Sequence, residues 1–238
     1  MPRAVRLIEA GTIYHVLNRG NARRALFAKD ADFLAFLKLL DEALERYPVD
    51  LLAYCLMGNH WHLLLRPRTD ESLSRMMAWL TVTHARRHHA HHPSPGSGHV
   101  YQGRFKSFPV QSDEHFLTVA RYVHANPLRA RLVGRAQDWR WSDLPGRGDV
   151  PLTEWPVDRP RNWLRLVNEP LPPPAQDAVE TSLRRGTPFG SPAWVKRAAQ
   201  RLGLQGTLRP RGRPPKPAPE LSDKYRRAKE RGHAEKSG

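Results

Sequence analysis

Apolar residues in the first half of this chain form short runs of strand length and longer stretches with helical spacing. Phe33, Phe36, Leu37, Leu40 and Leu44, for example, recur every three or four residues, as on one face of an amphipathic helix. The pattern predicts, in order, a strand over 12–19, a helix over 32–46, two strands that flank residues 58–59, a helix over 72–89, a strand over 104–110 and a helix over 113–125.

The order of these elements predicts the fold class. Gly58 and Asn59 stand between two apolar runs, a strong signal for a tight turn, so the two middle strands form a hairpin. Strand, helix, strand, strand, helix and strand in this order predict an α+β fold of the ferredoxin-like βαββαβ type, in which helices pack on an antiparallel sheet. The helix over 113–125 then closes the domain.

Prolines separate this first half from the rest of the chain. Between residues 145 and 174 they recur every few residues, a density that cannot continue a helix or a central strand. We therefore predict a first domain over 1–145, a proline-rich linking or wrapping segment over 146–178, a short helical piece over 179–208 and a tail over 209–238. The tail is basic and nearly devoid of large apolar residues, so we expect it to be disordered when free.

The charge of the chain points to a polyanionic partner. The 238 residues include 39 Lys and Arg against 23 Asp and Glu, a formal net charge of +16, for which nucleic acid is the usual partner. The N-terminus lacks the apolar core of a signal peptide, and no apolar run approaches the ~20 residues of a membrane span. The single cysteine, Cys55, excludes a disulfide framework and a Cys-based zinc finger. These features predict a soluble, cytoplasmic protein.

Two histidines of the predicted hairpin are candidates for a metal site. His60 and His62 lie two residues apart on the second hairpin strand, so both imidazoles leave the same face of the sheet. Two imidazoles held close together on a rigid strand form half of a metal site. The spacing alone leaves open the alternative that they only pack or form hydrogen bonds at the sheet surface.

The last predicted helix carries two further polar side chains. Tyr122 and Asn126 are four residues apart and share one helical face near its C-terminus. If that face turns toward the histidines, Asn126 offers an amide oxygen as a third ligand and Tyr122 offers a phenolic nucleophile. Taken singly, a helical tyrosine is more often a packing residue, and an asparagine before Pro127 is an ordinary helix stop.

Four motifs in this order resemble a known family. They are Tyr14-His15-Val16-x-Asn18-Arg19-Gly20, Tyr54-x-Leu56-Met57-x-Asn59-His60-Trp61-His62, Gly103-Arg104-Phe105-Lys106-Ser107 and Tyr122-x-His124-x-Asn126-Pro127-x-Arg129-Ala130. Together they resemble the single-tyrosine HUH transposases, in particular the REP-associated tyrosine transposases. The resemblance covers residues 5–135, and residues 184–213 resemble a C-terminal extension of some members.

The resemblance implies a role for each site residue. It makes His60 and His62 the two metal ligands, Asn126 the third ligand, and Tyr122 the nucleophile that forms a 5′-phosphotyrosine. It also implies a bacterial, nucleoid-associated enzyme that cleaves and rejoins single-stranded, hairpin-bearing DNA. A site of imidazole and amide donors with open positions suits Mg²⁺ or Mn²⁺. The sequence leaves open whether the protein is a monomer or a homodimer, and it names no base for the tyrosine.

Basic residues of the motifs and of the tail are candidates for DNA contacts. The candidates within the motifs are Arg19, Arg104, Lys106 and Arg129. These residues either contact DNA phosphates or are only solvent-exposed charges that keep the protein soluble. In the tail, Arg211 and Arg213 belong to a segment that resembles an AT-hook, whose Arg-Gly-Arg centre inserts into a narrow minor groove.

A histidine tract ends the second predicted helix. It comprises His84, His88, His89, His91 and His92. The two interpretations are a second metal site and a solvated basic face near DNA. The solvated face is favoured, because nothing in the sequence fixes the geometry of these side chains.

Three other functions compete with a transposase. A domesticated DNA-binding regulator keeps the fold without catalysis, but it has no need of His60, His62, Tyr122 and Asn126 together. An RNA-binding ferredoxin-like protein needs stacking aromatic residues on adjacent central strands, and the sequence does not show that array. A plain metal-dependent nuclease leaves free 5′-phosphates and forms no covalent protein–DNA adduct.

Overall fold

Four strands form the central sheet. In the computed structural model, which describes residues 7–92, 98–146 and 148–209, they are β1 (Ile13–Arg19), β2 (Val49–Met57), β3 (His60–Pro67) and β4 (Lys106–Val110). Their order is β2-β3-β1-β4, and each neighbouring pair is antiparallel. This order, with β1 and β3 in the centre, confirms the predicted ferredoxin-like α+β fold.

Helices connect and cover the strands. In the described residues they are α1 (Asp30–Arg46), α2 (Ser72–His91), α3 (Glu114–His124), α4 (Asn126–Arg129), α5 (Trp163–Asn168), α6 (Pro173–Arg185), α7 (Pro192–Arg201) and α8 (Gln205–Leu208). The ends of α1, α2 and α3 lie within two residues of the predicted bounds, which confirms those helical patterns. Within the described ranges, every helix is too short or too polar to cross a membrane.

The proline-rich segment contains one complete helix, α5, and the first residues of α6, which the sequence pattern did not predict there. Helix α5 has six residues and fits between Pro160 and Pro170. Its Trp163 and Val167 are buried in the core. The prolines bound this helix instead of interrupting it, so the expectation that the segment holds no helix was wrong for these residues.

Helices cover both faces of the sheet, because successive strand residues point to opposite sides. On the first face, Trp61 and Leu63 of β3 pack with side chains of α1 and α2 such as Phe36. On the second face, Leu64 of β3 belongs to a cluster with core residues of α3, α5 and α6. Since His62 alternates with Trp61 and Leu63, it points to this second layer, where α3 lies.

The C-terminal part of the described chain protects an edge of the sheet. The backbone N–H of Phe189 donates to the carbonyl of Pro109 at 2.8 Å, and its carbonyl accepts from the N–H of Gln111 at 2.9 Å. A parallel bridge pairs Phe189 with Val110 of β4. The segment between α6 and α7 thereby pairs backbone groups of β4 that would otherwise be open to another strand.

His84 belongs to the core, which corrects the expectation of a solvated histidine face at this position. Its side chain is buried, and its Nδ1 lies 2.7 Å from Tyr101 Oη. Tyr101 Oη also accepts from Trp61 Nε1 at 3.2 Å, so the imidazole belongs to a buried hydrogen-bond network. Burial is the main cause that lowers the pKa of His84 to about 3. His89 and His91 are exposed, as expected.

This buried histidine predicts an acid-sensitive fold. The pKa of His84 is about 3 in the folded protein and 6.5 in the unfolded chain. Below pH 6.5, the unfolded chain therefore binds one more proton than the folded protein. As the pH falls from about 6.5 to 5, we expect His84 to lower the free energy of unfolding by up to about 1.4 kcal/mol for each pH unit. In urea unfolding with EDTA, His84→Gln should remove this component, because the amide of glutamine can form a hydrogen bond with Tyr101 and does not titrate. Equal pH slopes for the two proteins would contradict the prediction.

Candidate active site

His60 and His62 stand side by side on β3. In the register of the sheet, His60 lies opposite Arg19 of β1 and His62 lies opposite Leu17. The centroids of the two imidazole rings are 5.0 Å apart, and the ring planes meet at 77°. The two imidazoles therefore share one face of the sheet, as their spacing predicts.

Hydrogen bonds orient both imidazoles. His60 Nδ1 lies 2.6 Å from Asn59 Oδ1, and Asn59 Nδ2 donates to the carbonyl of Arg23 at 3.2 Å. Because the amide oxygen of Asn59 faces His60, Nδ1 of His60 carries the proton and Nε2 keeps its lone pair. His62 Nδ1 lies 2.8 Å from His15 Nε2. In both rings, Nε2 is the nitrogen that these contacts leave available.

Burial keeps both imidazoles neutral at neutral pH. Burial, with smaller contributions from Arg19 and Arg129, lowers the pKa of His60 to about 4. The pKa of His62 lies well below its ordinary value, first because of burial and then because of the neighbouring His15 and His60. Metal coordination requires the lone pair of a neutral imidazole. Both histidines therefore have the protonation state of metal ligands.

Tyr122 comes from α3 and approaches the histidines in the second layer. The centroid of its ring lies 6.3 Å from that of His62. The guanidinium carbon of Arg129 lies 3.8 Å from the centroid of the Tyr122 ring, and Arg129 Nη1 donates to the backbone carbonyl of Tyr122 at 2.8 Å. Burial raises the pKa of the Tyr122 hydroxyl, and the charge of Arg129 opposes that rise. The cation beside the phenol therefore favours its ionised form.

Asn126 lies one helical turn after Tyr122. Its Nδ2 donates to the backbone carbonyls of Tyr122 at 3.3 Å and Val123 at 3.2 Å. Its Oδ1 accepts from Arg129 Nη2 at 2.6 Å. An amide oxygen has two lone pairs, so Arg129 occupies one and the other is available to a cation. The charge of Arg129 also acts on His62, so the amide and the imidazoles share one electrostatic environment.

A cleft of about 490 Å³ opens beside Tyr122. The predicted DNA-contact residues that line it are Arg19, Arg104 and Lys106. Arg129 has a different position, half-buried against the ring of Tyr122. The predicted contacts Arg211 and Arg213 lie outside the described residues. The catalytic candidate thus borders a basic groove.

Helix α6 contributes side chains to this cleft that the sequence pattern did not identify. Glu180, Leu183 and Arg184 all line it, and the charge of Glu180 contributes to the raised pKa of Tyr122. The apolar spacing of Val179 and Leu183 is the available signal for a helix. No local pattern, however, predicts that the polar side of α6 lies in the same cleft as Tyr122, which is far away in sequence.

A buried hydrogen-bond network anchors the C-terminal end of α3. His124 Nδ1 accepts from Trp163 Nε1 at 3.2 Å, so its Nε2 carries the proton and donates to Asp143 at 2.9 Å. Asp143 also accepts from the backbone N–H of Tyr54 in β2 at 2.7 Å. These bonds tie the last turn of α3 to the sheet and to α5, and thereby hold Tyr122 in place.

A further group of metal-type ligands lies at the other end of α3. Side-chain atoms of Asp113, Glu114 and His115 come within 4.8 Å of one another. Asp113 accepts from the backbone N–H of His115 at 2.9 Å, as a helix N-cap does, and His115 Nδ1 lies 2.7 Å from the same carboxylate. Helix capping accounts for this group, which is about two helical turns away from Tyr122.

The chain is similar to a known family and to known proteins. Residues 10–126 match the family model described as "Transposase IS200 like". A curated protein of Haemophilus influenzae, named for the REP-associated tyrosine transposases, is 24% identical over 122 residues, which cover 48% of this chain and 68% of the relative. A solved structure of a REP-associated tyrosine transposase bound to a REP hairpin matches with a TM-score of 0.50 and 19% identity, over 67% of this chain and 95% of that chain. At this identity, the structural match shows the fold alone.

The segment that matches the family model contains the predicted site residues from His60 to Asn126. The family model and the curated relative confirm the resemblance that the four motifs carry. Residues 10–126 of the chain are thus similar to the IS200-like transposase family.

Proposed function

We propose that this protein is a metal-dependent DNA strand transferase that cleaves and rejoins single-stranded, hairpin-bearing DNA through a 5′-phosphotyrosine. The observation that carries the proposal is the approach of Tyr122 to the imidazole pair beside a basic cleft, with 6.3 Å between the ring centroids of Tyr122 and His62. Strand cleavage needs a nucleophile, metal-ligating groups and phosphate-binding cations in one place. A protein that only binds DNA needs the cations alone.

The donor set fits a divalent cation. Burial keeps His60 and His62 neutral, the hydrogen bonds of both rings involve Nδ1 and not Nε2, and Asn126 adds an amide oxygen. Such a mixed nitrogen and oxygen set with open positions suits Mg²⁺ or Mn²⁺, and the imidazoles favour Mn²⁺. When bound, the cation would polarise the scissile phosphate and stabilise the charge that develops on its oxygens.

Tyr122 is the proposed nucleophile. Its phenolic oxygen attacks the phosphorus, the phenol loses its proton, and the bond from phosphorus to the 3′-oxygen breaks, so that the leaving strand takes up a proton and ends in a 3′-hydroxyl. Arg129, 3.8 Å from the ring centroid, favours the phenolate against the desolvation that raises the pKa of Tyr122. The phosphotyrosine is itself a phosphodiester, so attack by another 3′-hydroxyl can rejoin strands without ATP.

The cleft and one relative support the choice of DNA. The cationic side chains that line the cleft with Tyr122 are Arg19, Arg104, Lys106 and Arg184. Such side chains bind the phosphate backbone and position it without reading its sequence. One solved relative was captured with a REP hairpin, and we propose that this chain also takes a strand that folds into a hairpin.

A covalent adduct assay tests the proposed function. The full chain is incubated with Mn²⁺ and hairpin-bearing single strands labelled at either end, and the products are separated on a denaturing gel. A 3′ label should travel with the protein, because the tyrosine keeps the 5′-phosphate, and a 5′ label should appear on a free fragment. EDTA should abolish both products. Binding without cleavage would indicate a regulator, and cleavage without adduct a plain nuclease; either result contradicts the proposal.

The basic tail is expected to strengthen DNA binding without taking part in catalysis. Residues 209–238 contain ten Lys or Arg and four Asp or Glu, a formal net charge of +6. Their deletion should weaken binding and reduce the slope of log affinity against log salt by about one unit for each lost phosphate contact. Fluorescence anisotropy at several salt concentrations measures both effects, and the adduct should still form at low salt.

A pair of matched variants separates an AT-hook from plain charge. Arg211→Ala with Arg213→Ala removes the candidate hook, and Lys224→Ala with Lys229→Ala removes the same charge elsewhere in the tail. If the hook operates, the first pair should weaken binding more, and chiefly to DNA with A·T-rich duplex flanks. Equal losses would indicate charge alone. Equal low-salt affinities of full-length and truncated protein would show that the tail contributes neither.

A further inference from the structure

His15 is a fully buried polar residue in the middle of the sheet. It lies on β1, beside β3, with its ring stacked on that of His62 at 5.0 Å between centroids and tilted against Phe108 at 5.0 Å. Its exposed fraction is 0%. Such a position normally holds an apolar side chain, so the imidazole at this position needs an explanation.

The partner of His15 is His62. His15 Nε2 and His62 Nδ1 are 2.8 Å apart, whereas His15 Nδ1 has no hydrogen-bond partner within the described part of the chain. A neutral imidazole has one N–H and one bare nitrogen. One ring must therefore donate and the other accept, and this choice decides which nitrogen of His62 keeps its lone pair.

We propose that His15 is a positioning residue, which accepts a hydrogen bond from His62 Nδ1 and thereby keeps the lone pair of His62 on Nε2 for a divalent cation. The inference rests on the proposed function, because that function makes His62 a metal ligand. Metal-ligating histidines usually donate their second ring nitrogen to a fixed acceptor, which sets the tautomer and the ring orientation. His60 has the same arrangement with Asn59 Oδ1, at 2.6 Å. Each imidazole of the pair thus has an acceptor of its own.

The opposite arrangement would block the site. If His15 donated to His62, the proton of His62 would lie on Nε2, and no lone pair would be available on that side. An apolar residue at position 15 would leave His62 Nδ1 without its partner in a buried environment, which costs free energy and releases the ring from its fixed orientation.

Mn²⁺ binding to the full chain, followed by electron paramagnetic resonance, tests the inference apart from catalysis. We expect His15→Leu to weaken Mn²⁺ binding about 10–100-fold, the usual effect of losing such a partner. His15→Gln, whose Oε1 can accept from His62 Nδ1, should restore most of the affinity. Phe108→Leu removes a neighbouring ring from the same core without removing the hydrogen bond, and should bind Mn²⁺ like the unchanged protein.

NMR of the imidazole nitrogens tests the tautomer without any substitution. In the unchanged protein loaded with Mg²⁺, His62 should be protonated on Nδ1. Protonation on Nε2 would overturn the inference, as would equal Mn²⁺ affinities of His15→Leu and the unchanged protein. If His15→Leu does not fold, the NMR result decides. If the Mn²⁺-dependent adduct forms but the NMR or affinity result contradicts the inference, His15 has no such role and the proposed function stands. If the unchanged protein binds no Mn²⁺, both the inference and the proposed function are overturned.

Discussion

Replacing Tyr122 by phenylalanine is expected to abolish the covalent adduct and strand cleavage, with fold and DNA affinity nearly unchanged. The substitution removes only the hydroxyl, which is the proposed nucleophile. The ring remains, so its packing near His62 at 6.3 Å and its contact with Arg129 at 3.8 Å can persist. The adduct assay measures the loss, and thermal unfolding and anisotropy with the same labelled strand measure stability and affinity.

Tyr47→Phe is the matched control for this prediction. Tyr47 is half-buried and packs near Trp79, at 6.3 Å between ring centroids, on the first face of the sheet and away from the site. It should form the adduct like the unchanged protein. Mass spectrometry of the adduct should find the nucleotide on the peptide with Tyr122. An adduct that persists in Tyr122→Phe would place the nucleophile on another residue.

The local features of this site can be predicted from the sequence, because the periodicities of strands and helices depend on neighbouring residues. The two-residue spacing of His60 and His62 predicts that they share a face, and the register of β3 against β1 confirms it. The Gly58-Asn59 turn and the apolar spacing of α3 likewise follow from neighbours in sequence. These features need no knowledge of how distant elements pack.

The other features of the site depend on packing between distant segments. His15 and His62 are 47 residues apart, and their hydrogen bond exists only because β1 pairs with β3. Glu180 enters the cleft because α6 packs on the second face of the sheet. Arg129 is predicted as a phosphate contact, yet its guanidinium lies on the Tyr122 ring, an arrangement that depends on the turn between α3 and α4. The periodicity of the sequence does not predict these contacts between distant residues.

The position of Arg129 also affects the proposed metal ligands, and we expect their substitutions to weaken Mn²⁺ binding unequally. His60→Ala and His62→Ala should each weaken Mn²⁺ binding and thereby reduce adduct formation. The loss of affinity should be at least the roughly 10–100-fold that is usual when only the hydrogen-bond partner of a metal ligand is removed. Asn126→Ala should cost less, because Asn126 Oδ1 already accepts from Arg129 at 2.6 Å and two imidazoles remain to hold the cation. Excess Mn²⁺ should therefore restore adduct formation in Asn126→Ala more fully than in either histidine variant.

A histidine of the capping group at the start of α3 provides the control for this series. His115→Ala removes an imidazole that lies 2.7 Å from Asp113, in a group whose atoms could in principle hold an ion. If the imidazole pair on β3 is the metal site, His115→Ala should leave Mn²⁺ affinity and adduct yield unchanged. Losses with His115→Ala as large as those with His60→Ala would move the cation to the capping group. Normal cleavage at limiting Mn²⁺ by the variants of His60, His62 and Asn126 would make these residues structural, and Tyr122 would then act without a cation bound by them.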